Sequence, residues 1–331
     1  MPESLGIIQF GLGPIGRAVA RHVLERPRLQ LVGAVDVDPA KVGTDVGAVL
    51  ELDRPLGYVV AEDLSHLLGR APAEVALHAT HSTFALFVPQ ILEILEAGLD
   101  IVSTAEELSF PWEAHPEEAA EIDATARRVG RSVLATGVNP GFIMDSLPLA
   151  LTAICQHVDH IEVIRVIDAA TRRGPFQAKI GCGLTVEEFE AKVAAGRMGH
   201  VGLRESIGMV CDTLGWDLAH YESSVAPLVA KDSLKTDCVE VQPGRVRGLR
   251  QAARGHTDQG KSVELTFVAA LGADGEGDTI RIRGKPSLEV RLEGTNGDLA
   301  TVAMVVNAIP RVREAAPGLI TMRDLPIVTR W

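Results

Sequence analysis

Apolar and polar positions follow one rule up to about residue 140 and another beyond about residue 159. In the first stretch, continuous apolar runs at 6–10, 29–35, 75–79, 101–102 and 132–135 predict buried strands, and 58–60 predicts a further short one. Between them, apolar residues recur at helical spacing over 17–24, 84–97 and 116–129. Asp38-Pro39 predicts a helix start with proline just inside it, and 63–68 a helical turn. Strands alternating with helices in this way imply a doubly wound parallel sheet of the Rossmann type. In the second stretch 160–168 partly alternates, and 263–268, 279–283 and 288–293 alternate with period two. Such strands build a mixed or antiparallel sheet with one face packed on helices, here beginning at Thr185 and spanning 203–214. The last helix, 300–309, is apolar enough to return to the first domain. The expected architecture is an α/β domain over 1–141 completed by 299–331, and an α+β domain over 142–298 whose alternating face can pair with a second copy.

The first strand runs into Gly11, Leu12, Gly13, Pro14, Ile15 and Gly16, which open the first helix. The first glycine of such a loop permits a tight turn, the second lets backbone approach a pyrophosphate, and the third allows close helix–strand packing. A bare GxGxxG is common. Here it lies between strand and helix, and Asp36 ends the second strand twenty residues beyond Gly16. These features predict a site for NAD or NADP, with Asp36 accepting hydrogen bonds from the adenosine ribose and opposing a 2′-phosphate. Lys41 and Arg17 are near enough to offset that repulsion. Ligands of such sheets bind beyond the carboxyl ends of the strands. That rule gathers Thr80, His81 and Ser82, then Ser103, Thr104 and Ala105, then Asn139 and Pro140, around the glycine loop. Asn307, on the last helix, joins these cofactor candidates.

Composition narrows the class without choosing the chemistry. The 331 residues are 46% hydrophobic but only 4% aromatic, so the core is aliphatic. No apolar run reaches the ~18 residues of a membrane span. Met1-Pro2-Glu3-Ser4 lacks the basic and apolar parts of a leader, which points to the cytoplasm. A net charge of −12 disfavours nonspecific binding to nucleic acid or anionic membrane. Cys155, Cys182, Cys211 and Cys238 form no CxxC pair and read as free thiols. His78 and His81 stand three apart with no third ligand nearby, so no metal is expected.

Glu106 and Glu107 follow the fourth strand directly. In extended backbone they face opposite ways, so one carboxylate enters the crevice. In an otherwise apolar pocket, burial can raise a glutamate pKa by up to ~3–5 units, and such a group can hold an ammonium or amine and exchange its proton. In the 136–145 segment Asn139 can bond the nicotinamide amide or ribose, Pro140-Gly141 form a rigid turn, and Phe142 can wall a substrate pocket. Ile143, Ile167, Thr171 and the glycine-flanked His200 complete the substrate-side candidates.

With these residues in view the chain resembles the 2,4-diaminopentanoate dehydrogenase family, which includes the native amine dehydrogenases. The resemblance rests on the Gly11 to Gly16 loop, on 103–108 (STAEEL), 136–145 (TGVNPGFIMD) and 199–203 (GHVGL), and on the tail 321–326 (TMRDLP). It implies a dihydrodipicolinate reductase-like fold, homodimers, and NAD(P)-dependent reductive amination or oxidative deamination of a small ketone, aldehyde or amine. It also implies a catalytic glutamate within 104–108, for which Glu106 is narrowly preferred over Glu107. Dihydrodipicolinate reductase itself is the nearest alternative. Its paired histidines, lysine and Ser-Gly-Thr turn have no counterpart in 163–183, where Asp168-Ala169-Ala170-Thr171-Arg172-Arg173-Gly174 stands instead. A noncatalytic NAD(P)-binding regulator would keep the glycine loop without needing an acid beside it.

Overall fold

The computed structural model describes residues 4–69 and 72–331. Met1–Glu3, part of the stretch read above as lacking a leader, lie outside them. The chain divides into two compact units, Met1–Phe142 with Asn296–Trp331, and Ile143–Thr295. The sequence placed these boundaries at 141/142 and 298/299.

In chain order the first unit begins with β1 (Leu5–Phe10), α1 (Pro14–Leu24), β2 (Leu29–Val35), the single turn α2 (Val46–Val49), β3 (Val75–His78), α3 (Phe84–Glu96), β4 (Asp100–Ser103), α4 (Pro116–Val129) and β5 (Ser132–Ala135). The second unit holds α5 (Ser146–Thr152), β6 (His157–Asp168), α6 (Gly174–Lys179), α7 (Val186–Ala194), α8 (Leu203–Thr213), β7 (His220–Val229), β8 (Leu234–Lys235), β9 (Glu240–Val241), β10 (Val246–His256), β11 (Ser262–Ala270), β12 (Gly277–Lys285) and β13 (Leu288–Leu292). The chain then returns with α9 (Gly297–Glu314) and β14 (Gly318–Ile320).

The first sheet has the order β14-β5-β4-β3-β1-β2, all parallel. Chain order reverses between β1 and β3, so the loop after β1 opens at the switch point, where ligands of this architecture bind. The strands are apolar on both faces because helices cover both. Val19, Ala20 and Val23 of α1 join Val302, Val305, Val306 and Ile309 of α9 in one core. Phe87, Ile91 and Ile94 of α3 join Ala119, Ile122 and Ala126 of α4 in the other. The expected helix at Asp38-Pro39 is instead a run of turns through Gly43, which has φ +78° and ends any continuation. Tyr58–Val60 forms only an isolated bridge from Val59 to Asp45, not a strand.

The second unit's main sheet has the order β13-β12-β6-β11-β10-β7, with β6 parallel to β11 and every other pair antiparallel. Buried Ile161, Val163, Leu265, Ala269, Ile280 and Ile282 point to the face on which α5, α7 and α8 pack. The opposite face is wetter. Its register aligns Glu222, Arg254, Glu264, Glu162, Arg281 and Glu289 in a single row across all six strands. Two arginines pair within this row, Arg254 with Glu264 at 2.8 Å and Arg281 with Glu162 and Glu289 at 2.9 and 2.7 Å. Among the described residues no helix is long and apolar enough to cross a membrane.

Candidate active site

The glycine loop is built for close approach. Gly11 has φ +89°, and a Cβ there would meet Ala79 O at 2.4 Å; one on Gly16 would meet Gly11 O at 2.0 Å. A Cβ on Gly13 would meet nothing within 4 Å. The first and third glycines are therefore required by the protein's own packing. The second leaves open the space in front of the α1 N-terminus, where Pro14 occupies the first turn and no side chain caps the helix. A dinucleotide pyrophosphate fits such a cradle, drawn by the amides and the helix dipole. Leu12 is buried and contributes backbone: its N–H donates to Asp36 Oδ2 at 2.7 Å. The other Asp36 oxygen accepts from Asp38 N at 2.9 Å, and Lys41 Nζ stands 3.1 Å from Oδ2. Arg17 is drawn instead to Glu51, at 3.1 Å.

The loops after β3, β4 and β5 converge beside this loop. Ala79 N donates to Phe10 O, Thr104 N to His78 O and Thr136 N to Ser103 O, at 2.8 to 2.9 Å. Glu106 and Glu107 do not continue the strand in extended form, because residues Glu106–Ser109 make a turn of 3-10 helix. The two carboxylates nonetheless diverge. Glu107 Oε2 accepts from Phe84 N at 2.5 Å, the first residue of α3, whose N-cap Thr83 makes no side-chain cap of its own. Glu106 lines a cavity of about 50 Å³ in the first unit with Thr104, Ser109, Thr136, Asn139 and Thr301. This cavity is more polar than the apolar pocket expected: beside Ala105 and Pro140 its walls carry the hydroxyls of Thr104, Ser109, Thr136 and Thr301 and the Asn139 amide. Ser109 Oγ donates to Glu106 O at 2.7 Å, and Thr301 Oγ1 accepts from Val138 N at 3.2 Å, fixing the two sides of the cavity.

Other sequence candidates fall in several places. Thr80 sits against Gly11, with its Cγ2 2.9 Å from where a Cβ would lie. His81 is exposed and Ser82 half-buried in the same loop. Ser103 is fully buried, so its hydroxyl serves the protein rather than solvent. Asn307 is displaced from the group: its Oδ1 faces Arg26 Nη2 at 3.2 Å and Trp331 N at 3.3 Å, beyond the end of α1 opposite the glycine loop. It ties down the C-terminus. Phe142 closes the first unit and is half-buried. In the second unit Ile143 is buried and Thr171 exposed. His200 stacks on Phe267 with ring centroids 4.8 Å apart, and its backbone N and O bond the Gln251 amide at 2.6 and 3.0 Å. Ile167 pairs with Ala269, two residues along β11 from Phe267, so Ile167 and His200 share the covered face of that sheet.

The sequence reading missed three contributors. Gln9, fully buried, donates from Nε2 to Gly11 O at 3.0 Å beneath the glycine loop; its signal was a polar residue inside an apolar run. Ser109 stands one turn beyond Glu106, and Thr301 comes from a helix far away in sequence.

The C-terminal domain of 2,4-diaminopentanoate dehydrogenase matches residues 142–331. A 2,4-diaminopentanoate dehydrogenase from Acetoanaerobium sticklandii is 33% identical over 336 residues, covering 98% of this chain and 94% of that one. An amine dehydrogenase from Streptomyces virginiae is 26% identical over 352 residues, covering 98% and 96%. The solved structure of an amine dehydrogenase from Mycobacterium smegmatis superposes with a TM-score of 0.87 at 26% identity, covering 99% and 98%. With half the chain matched by the family's own domain and a full-length relative at this identity, the chain belongs to the 2,4-diaminopentanoate dehydrogenase family.

Proposed function

We propose that this protein is an NAD(P)-dependent amine dehydrogenase. It condenses a small ketone or aldehyde with ammonia and reduces the imine to an amine, and in reverse deaminates the amine oxidatively. One observation carries the reading: of two adjacent glutamates at the end of β4, Glu107 is engaged as a helix cap and Glu106 is left to line the cavity. The cofactor supplies hydride in one direction and accepts it in the other. Glu106 holds the ammonium or protonated amine, takes its proton as the carbon–nitrogen bond forms, and steadies the positive iminium. Proton transfer of this kind is worth roughly 10²–10⁴-fold. The loop from Gly11 to Gly16 holds the pyrophosphate and Asp36 the adenosine ribose, while Thr80, Ser82, Thr104, Asn139 and Pro140 serve the nicotinamide end. Phe142, Ile143, Ile167, Thr171 and His200 serve the substrate. Because Lys41 partly neutralises Asp36, NAD is preferred and NADP tolerated.

The enzyme works in the cytoplasm, consistent with its four free cysteines, and as a homodimer. The wet face of the second unit's sheet supports the dimer: it presents half-buried Ile164, Val166 and Val268 beside a row of charges. The function is tested with a panel of ketones and aldehydes, each with NAD(P)H, with and without ammonia. Ammonia-dependent consumption of NAD(P)H is expected. Equal rates without ammonia would make the protein a carbonyl reductase and overturn the reading.

A further inference from the structure

His78, set aside above as half of an incomplete metal pair, ends β3 between β1 and β4 and is 1% exposed. The rings of Phe10 and Phe87 stand 5.9 and 6.3 Å from its own. Burial pushes the imidazole down to about 4, so the ring is neutral at physiological pH. Both ring nitrogens are nevertheless occupied. Nδ1 lies 2.9 Å from Ser103 Oγ, and Nε2 lies 2.9 Å from Gln90 Oε1 and from Thr80 Oγ1. Thr80 Oγ1 in turn donates to Gln90 Oε1 at 2.7 Å, and Ala105 N donates to Ser103 Oγ at 3.1 Å.

With Gln90 Oε1 turned to the ring, donors and acceptors close in one way on a neutral imidazole. Gln90 Oε1 only accepts, so Nε2 carries the proton. Nδ1 then accepts from the Ser103 hydroxyl, which accepts from Ala105 N. The chain runs unbroken from α3, through His78, to the amide just before Glu106. Helix α3 is joined to the same turn a second time, where Glu107 takes Phe84 N. A core histidine that served only the core would need its polar atoms satisfied by any neighbours. Here Thr80 lies in the loop beside Gly11, and Ser103 passes the bond to the turn that carries Glu106.

We propose that His78 is a positioning residue of the amination reaction, a neutral imidazole bridge that fixes the Glu106 turn relative to α3 and the Thr80 loop. The proposal rests on the role given to Glu106 above. Displacing a reacting group by about 1 Å can cost up to about a hundredfold in rate. His78→Gln and Ser103→Ala are therefore each expected to lower kcat for the amine by about ten- to a hundredfold, with the NAD(P)H Kd changed by less than about threefold. The double variant is expected to be no worse than the poorer single, because both cut one chain.

Hydrogen exchange read peptide by peptide supplies an arm that needs no turnover. His78→Gln leaves Ser103 in place as acceptor for Ala105 N, yet exchange over 105–108 is expected to quicken. Unchanged kcat, additive losses, or unchanged exchange over 105–108 in His78→Gln would each overturn the proposal. If the wild type shows no amine turnover on the panel, the proposed activity fails, and the exchange arm alone decides whether His78 holds the turn.

Discussion

Exchanging Glu106 and Glu107 one at a time for glutamine separates two roles that the sequence leaves joined. Glu107 is the acidic group at the start of α3: no residue of that first turn is acidic, and its own N-cap makes no side-chain bond. Glutamine there keeps an oxygen for Phe84 N but loses the charge, which at a helix N-terminus is worth about 0.3–1 kcal/mol. For a unit of this size that lowers the melting midpoint by about 1–4 °C. Activity should stay within about threefold, since no reacting atom is touched. Glu106→Gln removes the only carboxylate lining the described cavity. It is expected to cost 10²–10⁴-fold in kcat, about 3–5 kcal/mol of barrier, while leaving the melting midpoint where it was or raising it. Both variants are assayed by NAD(P)H absorbance with the best ketone of the panel at saturating ammonia, alongside a thermal melt. Full amination by Glu106→Gln would refute the carboxylate mechanism. A loss in Glu107→Gln equal to that in Glu106→Gln, with the melt unchanged, would refute the division of labour.

Three further expectations follow from named contacts. Lys41→Ala removes the ammonium 3.1 Å from Asp36 and should weaken NADP binding by about tenfold while sparing NAD, and fluorescence titration showing wild type far tighter for NADP than NAD would refute the preference. Light scattering should give twice the 35.3 kDa chain mass, and a monomeric mass would refute the sheet-face dimer. The folded state holds His78 neutral down to about 4 against an ordinary 6.5, so it binds fewer protons than the unfolded chain across that window. Stability from this group is therefore full above pH 6.5 and lost on acidification towards pH 4, by about 3 kcal/mol. Urea unfolding of wild type and His78→Gln at both pH values should show a loss larger in wild type by about 3 kcal/mol, and equal losses would refute the assignment.

How much of the fold the sequence discloses depends on which interactions set each element. Runs such as Ile7-Ile8 or Val133-Leu134 are buried on both faces of a parallel sheet, so hydrophobicity alone marks them. Helix α4 announces both ends, with Pro116 in its first turn and Gly130 at φ +68° beyond its last residue. β7 and β10 went unread for opposite reasons. β7 is an edge strand of mostly exposed residues. β10 sits inside the sheet but spends its wet positions on Arg250 and Arg254 and its covered ones on Gln251, Ala253 and Gly255, which carry little hydrophobic signal. The covered face accepts Gly255 because Ile207 and Leu218 fill the place of a side chain, a fact visible only once α8 is in position.

The site divides along the same line. Backbone-determined features were legible: the three glycines, Asp36 at the end of β2, and polar loops after the strands all follow from the parallel sheet itself. Features decided by a partner distant in sequence were not. Glu106 and Glu107 are equivalent until α3 offers Phe84 N, twenty-three residues away. Asn307 reads like a cofactor ligand until Arg26 and Trp331 claim its oxygen. Thr301 and Gln90 enter through helices with no motif around them. An alteration of chemistry in this chain would come from the acid rather than from the cradle. The cradle is fixed by packing that no substitution at Gly11 or Gly16 can satisfy, whereas the acid that faces the cavity is selected by one hydrogen bond from a helix end and one chain of bonds through His78. A carboxylate held by contacts so few and so separable can be moved or retuned without disturbing the sheet that carries it.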